Sequence, residues 1–82
     1  GEIVIFKVYG GLAHRYDLRE NETIIEKNLP EYLKIKNICE DKEELLTRLL
    51  RYDKNCEILS PKSYRDEIKK TIESMLANYG EE

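Results

Sequence analysis

The feature that most constrains the fold is an unbroken run of β-branched and aromatic residues near the start of the chain. The run, IVIFKVY at residues 3–9, is typical of a strand in the middle of a sheet. Side chains alternate along a strand, so one face carries Val4, Phe6 and Val8 and the other includes Lys7 and Tyr9. Because the first set is wholly apolar, we expect it to face the core and the second face to be open to solvent.

The rest of the chain alternates between helical and extended patterns. After Gly10-Gly11 we expect a short helix over residues 12–19, then a hairpin of residues 23–26 and 32–39 joined by the turn Asn28–Glu31. In the second hairpin strand, Leu33 and Ile35 belong to the core face.

A second helix is expected to begin at an Asp41 cap and to run to Tyr52. Its apolar stripe consists of Leu45, Leu46, Leu49 and Leu50. Asn55 is a candidate for the left-handed conformation that often follows a helix.

A short strand over residues 56–59 precedes the last predicted helix. Ser60 is the expected cap of that helix, Pro61 its first residue and Gly80 its end. The order strand, helix, strand, strand, helix, strand, helix predicts an α+β, ferredoxin-like βαββαβ fold with one added C-terminal helix. Its helices would cover one face of a four-stranded antiparallel sheet whose central strands are the first and third.

Composition bounds the function. At 82 residues the chain has room for one domain, and a net charge of -3 gives no overall field that would attract a nucleic acid. No apolar run approaches a membrane span, so we expect a cytoplasmic protein without membrane contact. We interpret Gly1 as a cloning remnant, Glu81-Glu82 as a frayed tail, and the chain as an excised C-terminal part of a larger protein.

The residues that carry chemistry are few. Cys39 and Cys56 are expected to be free thiols, because neither a metal-ligand spacing nor a disulfide framework is present. His14 is the only histidine, and no nucleophile, paired acid and base, or phosphate-binding loop is evident. We therefore predict a binding module with no cofactor or metal, and not an enzyme.

The second half of the chain resembles a known family. Two leucines, an aromatic residue, a strand ending in Leu-x-Pro, and an arginine-containing helix that runs to a tyrosine form the pattern of the C-terminal extension (WCX) of bacterial WYL-domain transcriptional regulators. Here these features fall on Leu49, Leu50, Tyr52, Leu59, Pro61, Arg65 and Tyr79. The resemblance implies a parent with an N-terminal winged-helix DNA-binding domain and a ligand-sensing WYL domain. In it the extension would form a homodimer, contact the WYL domain and relay its signal.

Two surfaces are candidate sites. The open sheet face would gather Lys7, Tyr9, Tyr32, Lys34 and Lys36. These residues could bind a small ligand or single-stranded nucleic acid, could be covered by the last helix or a dimer partner, or could be a plain solvated surface.

The last helix is the second candidate, with Tyr64, Arg65 and Tyr79 as interface residues and with exchange of the helix between subunits as one mode of dimerisation. His14-Arg15 could also touch an anionic ligand, although a lone histidine on a polar helix is usually incidental.

Overall fold

The computed structural model describes residues 2–80, so Gly1 and Glu81-Glu82 lie outside the described part of the chain. The strands are β1 (Ile3–Tyr9), β2 (Glu22–Asn28), β3 (Tyr32–Ile38) and β4 (Cys56–Ser60). The helices are α1 (Gly10–Arg15), α2 (Lys42–Arg51) and α3 (Lys62–Ala77), and a 3-10 turn at Asp53–Asn55 joins α2 to β4.

The four strands form one antiparallel sheet in the order β2-β3-β1-β4. β1 pairs along its whole length with β3, Val4 opposite Asn37 and Tyr9 opposite Tyr32. The first and third strands are therefore central, as the sequence predicts, and the α+β fold with an added C-terminal helix is confirmed.

The core lies between the sheet and the helices. The predicted β1 residues Val4, Phe6 and Val8 and the predicted β3 residues Leu33 and Ile35 are all buried there. From the helices they meet Ala13, Leu45, Leu49 and Tyr64. The alternation of apolar residues along β1 and β3 thus assigned the buried face correctly.

The start of α2 also follows its sequence signal. The Asp41 carboxylate accepts a hydrogen bond from the Glu44 backbone N–H at 3.1 Å, which satisfies one of the free amides of the first turn. After the C-terminal end of α2, the prediction that Asn55 takes the left-handed conformation is wrong. Asp53, with φ of 50°, takes it, and Asn55 lies inside the 3-10 turn.

The first helix is shorter and earlier than predicted. It begins at Gly10 and ends at Arg15, because Tyr16 leaves the helical path with extended backbone angles. The Tyr16 ring packs edge-on against Phe6 and its hydroxyl donates to Glu22 at 2.7 Å. Tertiary contacts of one side chain therefore override the helical spacing of residues 12–19.

The start of α3 is also corrected. Ser60 does not cap the helix, because it continues the β4 ladder opposite Ile5, and Pro61 stands at the cap position without a side-chain hydrogen bond. The helix ends at Ala77, and the turn that follows places Gly80 at a φ of 64°.

Candidate interaction surfaces

The open sheet face brings together the five residues that the sequence predicts. Lys7 stands opposite Lys34, and Tyr9 opposite Tyr32, while Lys36 pairs with Ile5. All five are half-buried, because neighbouring side chains on the sheet cover part of each. The structure thus confirms that these residues are neighbours on one face of the sheet.

Glutamates at both edges of the sheet form polar contacts with this face. Glu26 of β2 accepts a hydrogen bond from the Tyr32 hydroxyl and forms an ion pair with Lys34 at 2.9 Å. Glu57 of β4 accepts from the Tyr9 hydroxyl at 2.7 Å. Burial and this hydrogen bond to a carboxylate raise the pKa of Tyr9 to about 12, so the phenol stays a neutral donor.

The two ends of the face differ in character. Near the tyrosines, the Lys7 ammonium lies 4.0 Å from the centre of the Tyr32 ring, a cation–π contact. At the opposite end Ile3 and Ile38 pair across the strands and are 54% and 40% exposed. The face therefore offers apolar surface at one end and mutually paired polar groups at the other.

The three candidate residues of α3 do not form one patch. Tyr64 is a core residue, 4% exposed, and Arg65 donates to the Ile58 carbonyl of β4 at 2.6 Å. Tyr79, past the end of the helix, is 79% exposed. Only Tyr79 of the three is available as a large exposed apolar contact.

The distal half of α3 contains an exposed apolar surface that the sequence pattern alone does not distinguish from the core. Ile72 and Met75 continue the stripe of Tyr64, yet they are 50% and 47% exposed, and Leu76 is 68% exposed. The stripe is thus core at one end and uncovered at the other. We name the exposed part, consisting of Ile72, Met75, Leu76 and Tyr79, the distal stripe.

The structure also contains a buried polar network that the sequence analysis missed. Arg48 of α2 forms ion pairs with Glu22 at 2.9 Å and Glu40 at 2.8 Å. It also donates to the hydroxyls of Tyr16 and Tyr52. One feature of the sequence could have indicated that Arg48 is buried, because it comes three residues after Leu45 and so lies on the apolar face of the helix.

Hydrogen bonding sets the charge states in this network. Burial acts to raise the pKa of Glu22, but hydrogen bonds from Asn37, Tyr16 and Arg48 lower it overall. The pKa of Glu40 is lowered in the same way, because hydrogen bonds from Arg48 and Asn37 outweigh the effect of burial. Two carboxylates around one guanidinium thus stay ionised, as a buried ion cluster requires.

The remaining candidate residues are unremarkable in their surroundings. His14 is exposed. Arg15 lines an open groove with Tyr16 and Tyr52, and His14 does not line this groove. Cys39 is exposed and Cys56 half-buried, and neither forms a disulfide, as predicted. Burial raises the pKa of the Cys56 thiol to about 12. Within residues 2–80, no cluster of three or more His, Cys, Asp or Glu is arranged to hold a metal ion.

A family model described as the WCX domain matches residues 15–76, most of the chain. The chain belongs to the WCX family. WCX domains are C-terminal modules of WYL-domain transcriptional regulators, as the resemblance implied. No curated protein matches the chain. No helix of this WCX domain within residues 2–80 is long and apolar enough to cross a membrane.

The match divides the candidate residues of this WCX domain. It includes β2, β3, α2, β4 and nearly all of α3, and with them the Arg48 network. Lys7 and Tyr9 of β1 precede the matched region and Tyr79 follows it. One of the two central strands, β1, and the tip of the distal stripe therefore come from residues beyond the match.

Proposed function

We propose that this WCX domain is the C-terminal dimerisation and regulatory module of a WYL-type, winged-helix DNA-binding transcriptional regulator. In this role it holds two subunits together and relays ligand sensing by the WYL domains to the DNA-binding domains. The observation that carries the proposal is the distal stripe: Ile72, Met75 and Leu76 are exposed on α3, and Tyr79 is exposed in the turn that follows it. Exposed apolar surface that is contiguous and rimmed by polar residues is typical of a protein interface.

The distal stripe is suited to pairing with a second copy of itself. A two-fold axis placed between Met75 and Leu76 of two antiparallel helices sets each Met75 against the partner's Leu76. The same axis sets each Ile72 against the partner's Tyr79. Self-complementarity of this kind is what a two-fold interface requires.

The open sheet face is the surface that we assign to the WYL domain of the same parent chain. Its Ile3 and Ile38 end supplies apolar contact area, and the polar groups of Tyr9, Tyr32 and Lys34 are already paired within the domain. Glu26 and Glu57 flank the lysines, so a phosphate backbone would meet carboxylates at both edges. This arrangement favours contact with protein over binding of a single-stranded nucleic acid.

Sedimentation tests the dimer. We expect the chain to self-associate over about 10 to 200 µM, because a two-helix contact falls in the small, weak class of interfaces. Leu76→Asp places a charge in the middle of the stripe and should leave a monomer over the whole range. Leu18→Asp, which changes another exposed apolar residue outside α3, is the matched control and should dimerise like the unaltered chain.

A strictly monomeric chain, or equal loss of association in both variants, would contradict dimerisation through α3. The wider proposal has a separate test in the coding sequence upstream of this domain. It should encode a winged helix followed by a WYL segment, and a different neighbour would refute the assignment to a WYL regulator.

A further inference from the structure

A groove runs beside α3 on the side of the helix that faces β4. Its volume is about 480 Å³, and it is open to solvent along the helix. The apolar residues that line it come from α2, β4 and α3; they are Leu49, Leu50, Cys56, Ile58, Ile68 and Ile72. Of the α3 residues, Tyr64 belongs to the core and Ile68 packs against it, whereas Ile72, one turn further along, is 50% exposed and lines the groove.

The rim of the groove is acidic. Asp53, Glu57, Asp66 and Glu73 stand around it, against two cations, Arg65 and Lys69. Arg65 is engaged with the Ile58 carbonyl and lies 3.6 Å from Glu57. Among residues 2–80, Asp53 and Glu73 form no ion pair within 4.0 Å, so these carboxylates are available for a ligand's charge.

We propose that this groove binds a short amphipathic segment of a partner protein, with apolar side chains in the groove and lysine or arginine at the rim. The distance from Arg65 to Glu73 corresponds to roughly 12 Å of helix, or about two turns. That length accommodates apolar side chains spaced three or four residues apart on the incoming segment, the mode in which a helix docks into a groove.

Charge complementarity selects this occupant over a second copy of the chain. The chain carries a net charge of -3, so its own surface is not enriched in the basic groups that the rim calls for. Anionic partners such as nucleic acid would meet a majority of carboxylates. A basic amphipathic segment is stabilised both in the groove and at the rim. Its apolar residues leave water in the groove, and its cations approach Asp53 and Glu73 at the rim.

Fluorescence anisotropy with a model peptide tests the proposal. The probe is a labelled peptide of about 14 residues, roughly four helical turns, with leucine and lysine at helical spacing. The first control peptide replaces every lysine by glutamate, and the second scrambles the order so that no apolar face remains. The chain would carry Leu76→Asp, so that self-association through the distal stripe cannot mask the groove.

We expect the leucine–lysine peptide to bind, its affinity to fall with added salt, and the control peptides to bind far more weakly. Glu73→Lys should weaken binding about threefold to tenfold, whereas Glu31→Lys, the same charge change in the β2–β3 turn, should have little effect. Methyl resonances of Leu50 and Ile68 should shift on binding, while those of Ile3 and Ile38 on the sheet face stay in place.

Equal weakening by Glu73→Lys and Glu31→Lys would show a response to net charge alone and would overturn the proposal. Binding of the glutamate peptide with similar affinity, or methyl shifts confined to the sheet face, would overturn it as well. None of these results bears on dimerisation, which is measured without the peptide.

Discussion

Arg48 is the residue on which the fewest substitutions should be tolerated. Its guanidinium joins β2 through Glu22 and the segment after β3 through Glu40, at distances of 2.8 to 2.9 Å. Each partner lies far from it in sequence or in a different element, and the Glu22 side chain is fully buried. The network therefore fixes how α2 sits over the β2–β3 hairpin.

Removing the guanidinium should be costly. Arg48→Met leaves the Glu22 carboxylate buried without its cation, and we expect a loss of about 3 to 5 kcal/mol in the free energy of unfolding, measured by urea denaturation. Lys62→Met is the matched control: it breaks an exposed ion pair with Asp66 and should cost less than about 1 kcal/mol. Similar costs for both variants would show that the buried pair contributes little.

The same network predicts a pH dependence. The pKa values of Glu22 and Glu40 are lowered in the folded chain, whereas unfolded glutamates have a pKa of about 4.3. The unfolded chain therefore takes up protons first as the pH falls. The stabilisation is present above about pH 4.3 and is lost as the pH drops through the folded-state values.

Thermal unfolding between neutral pH and about pH 3 measures this effect. The melting temperature should fall on acidification, and the fall should be smaller in Glu22→Gln, which is destabilised at neutral pH but has lost one of the titrating groups. An identical acid dependence in Glu22→Gln would place its origin in other carboxylates.

Among the elements, α3 is the one whose sequence pattern and structural role differ most. Its residues repeat at helical spacing from Tyr64 to Tyr79, which predicts one amphipathic face in contact with the core. Only the first part of that face is covered, because Tyr64 is 4% exposed whereas Ile72 and Met75 are 50% and 47% exposed. Periodicity indicates which side of a helix is apolar, but it does not indicate how much of the helix a neighbour covers.

Alanine substitutions should separate the covered and uncovered parts. Leu49→Ala, at a site 1% exposed, is expected to cost about 2 to 5 kcal/mol, because it leaves a cavity in the core. Ile72→Ala, at a site 50% exposed, should cost less than about 1 kcal/mol when unfolding is measured at a concentration where the chain is monomeric. A large cost at Ile72 would mean that the distal stripe packs within its own domain.

For the molecule as a whole, the sequence was informative where local patterns match the fold. The alternation in β1 and β3 predicted the buried face of the sheet and half of the core, and the element order predicted the sheet topology with its two central strands. The errors lie where distant residues decide the local structure. Tyr16 leaves its helix to reach Phe6 and Glu22, and Ser60 pairs with Ile5 instead of capping α3.

The candidate surfaces divide in the same way. The neighbours on the sheet face could be predicted, because strand register follows from alternation. The contacts of Glu26 and Glu57 with this face could not be predicted, because these glutamates lie on β2 and β4, whose registers contain a bulge. The Arg48 network and the groove depend on helix placement over the sheet, which no local pattern encodes.

Both outer strands of the sheet are poor templates for further strands. On β4, the Arg65 guanidinium already occupies the Ile58 carbonyl, and on β2 a register irregularity between Ile24 and Glu26 interrupts a strand that carries Glu26 and Lys27. Bulges and charges of this kind discourage edge-to-edge growth of sheets. Crowding the chain in a cell should accordingly yield discrete assemblies and not fibrils.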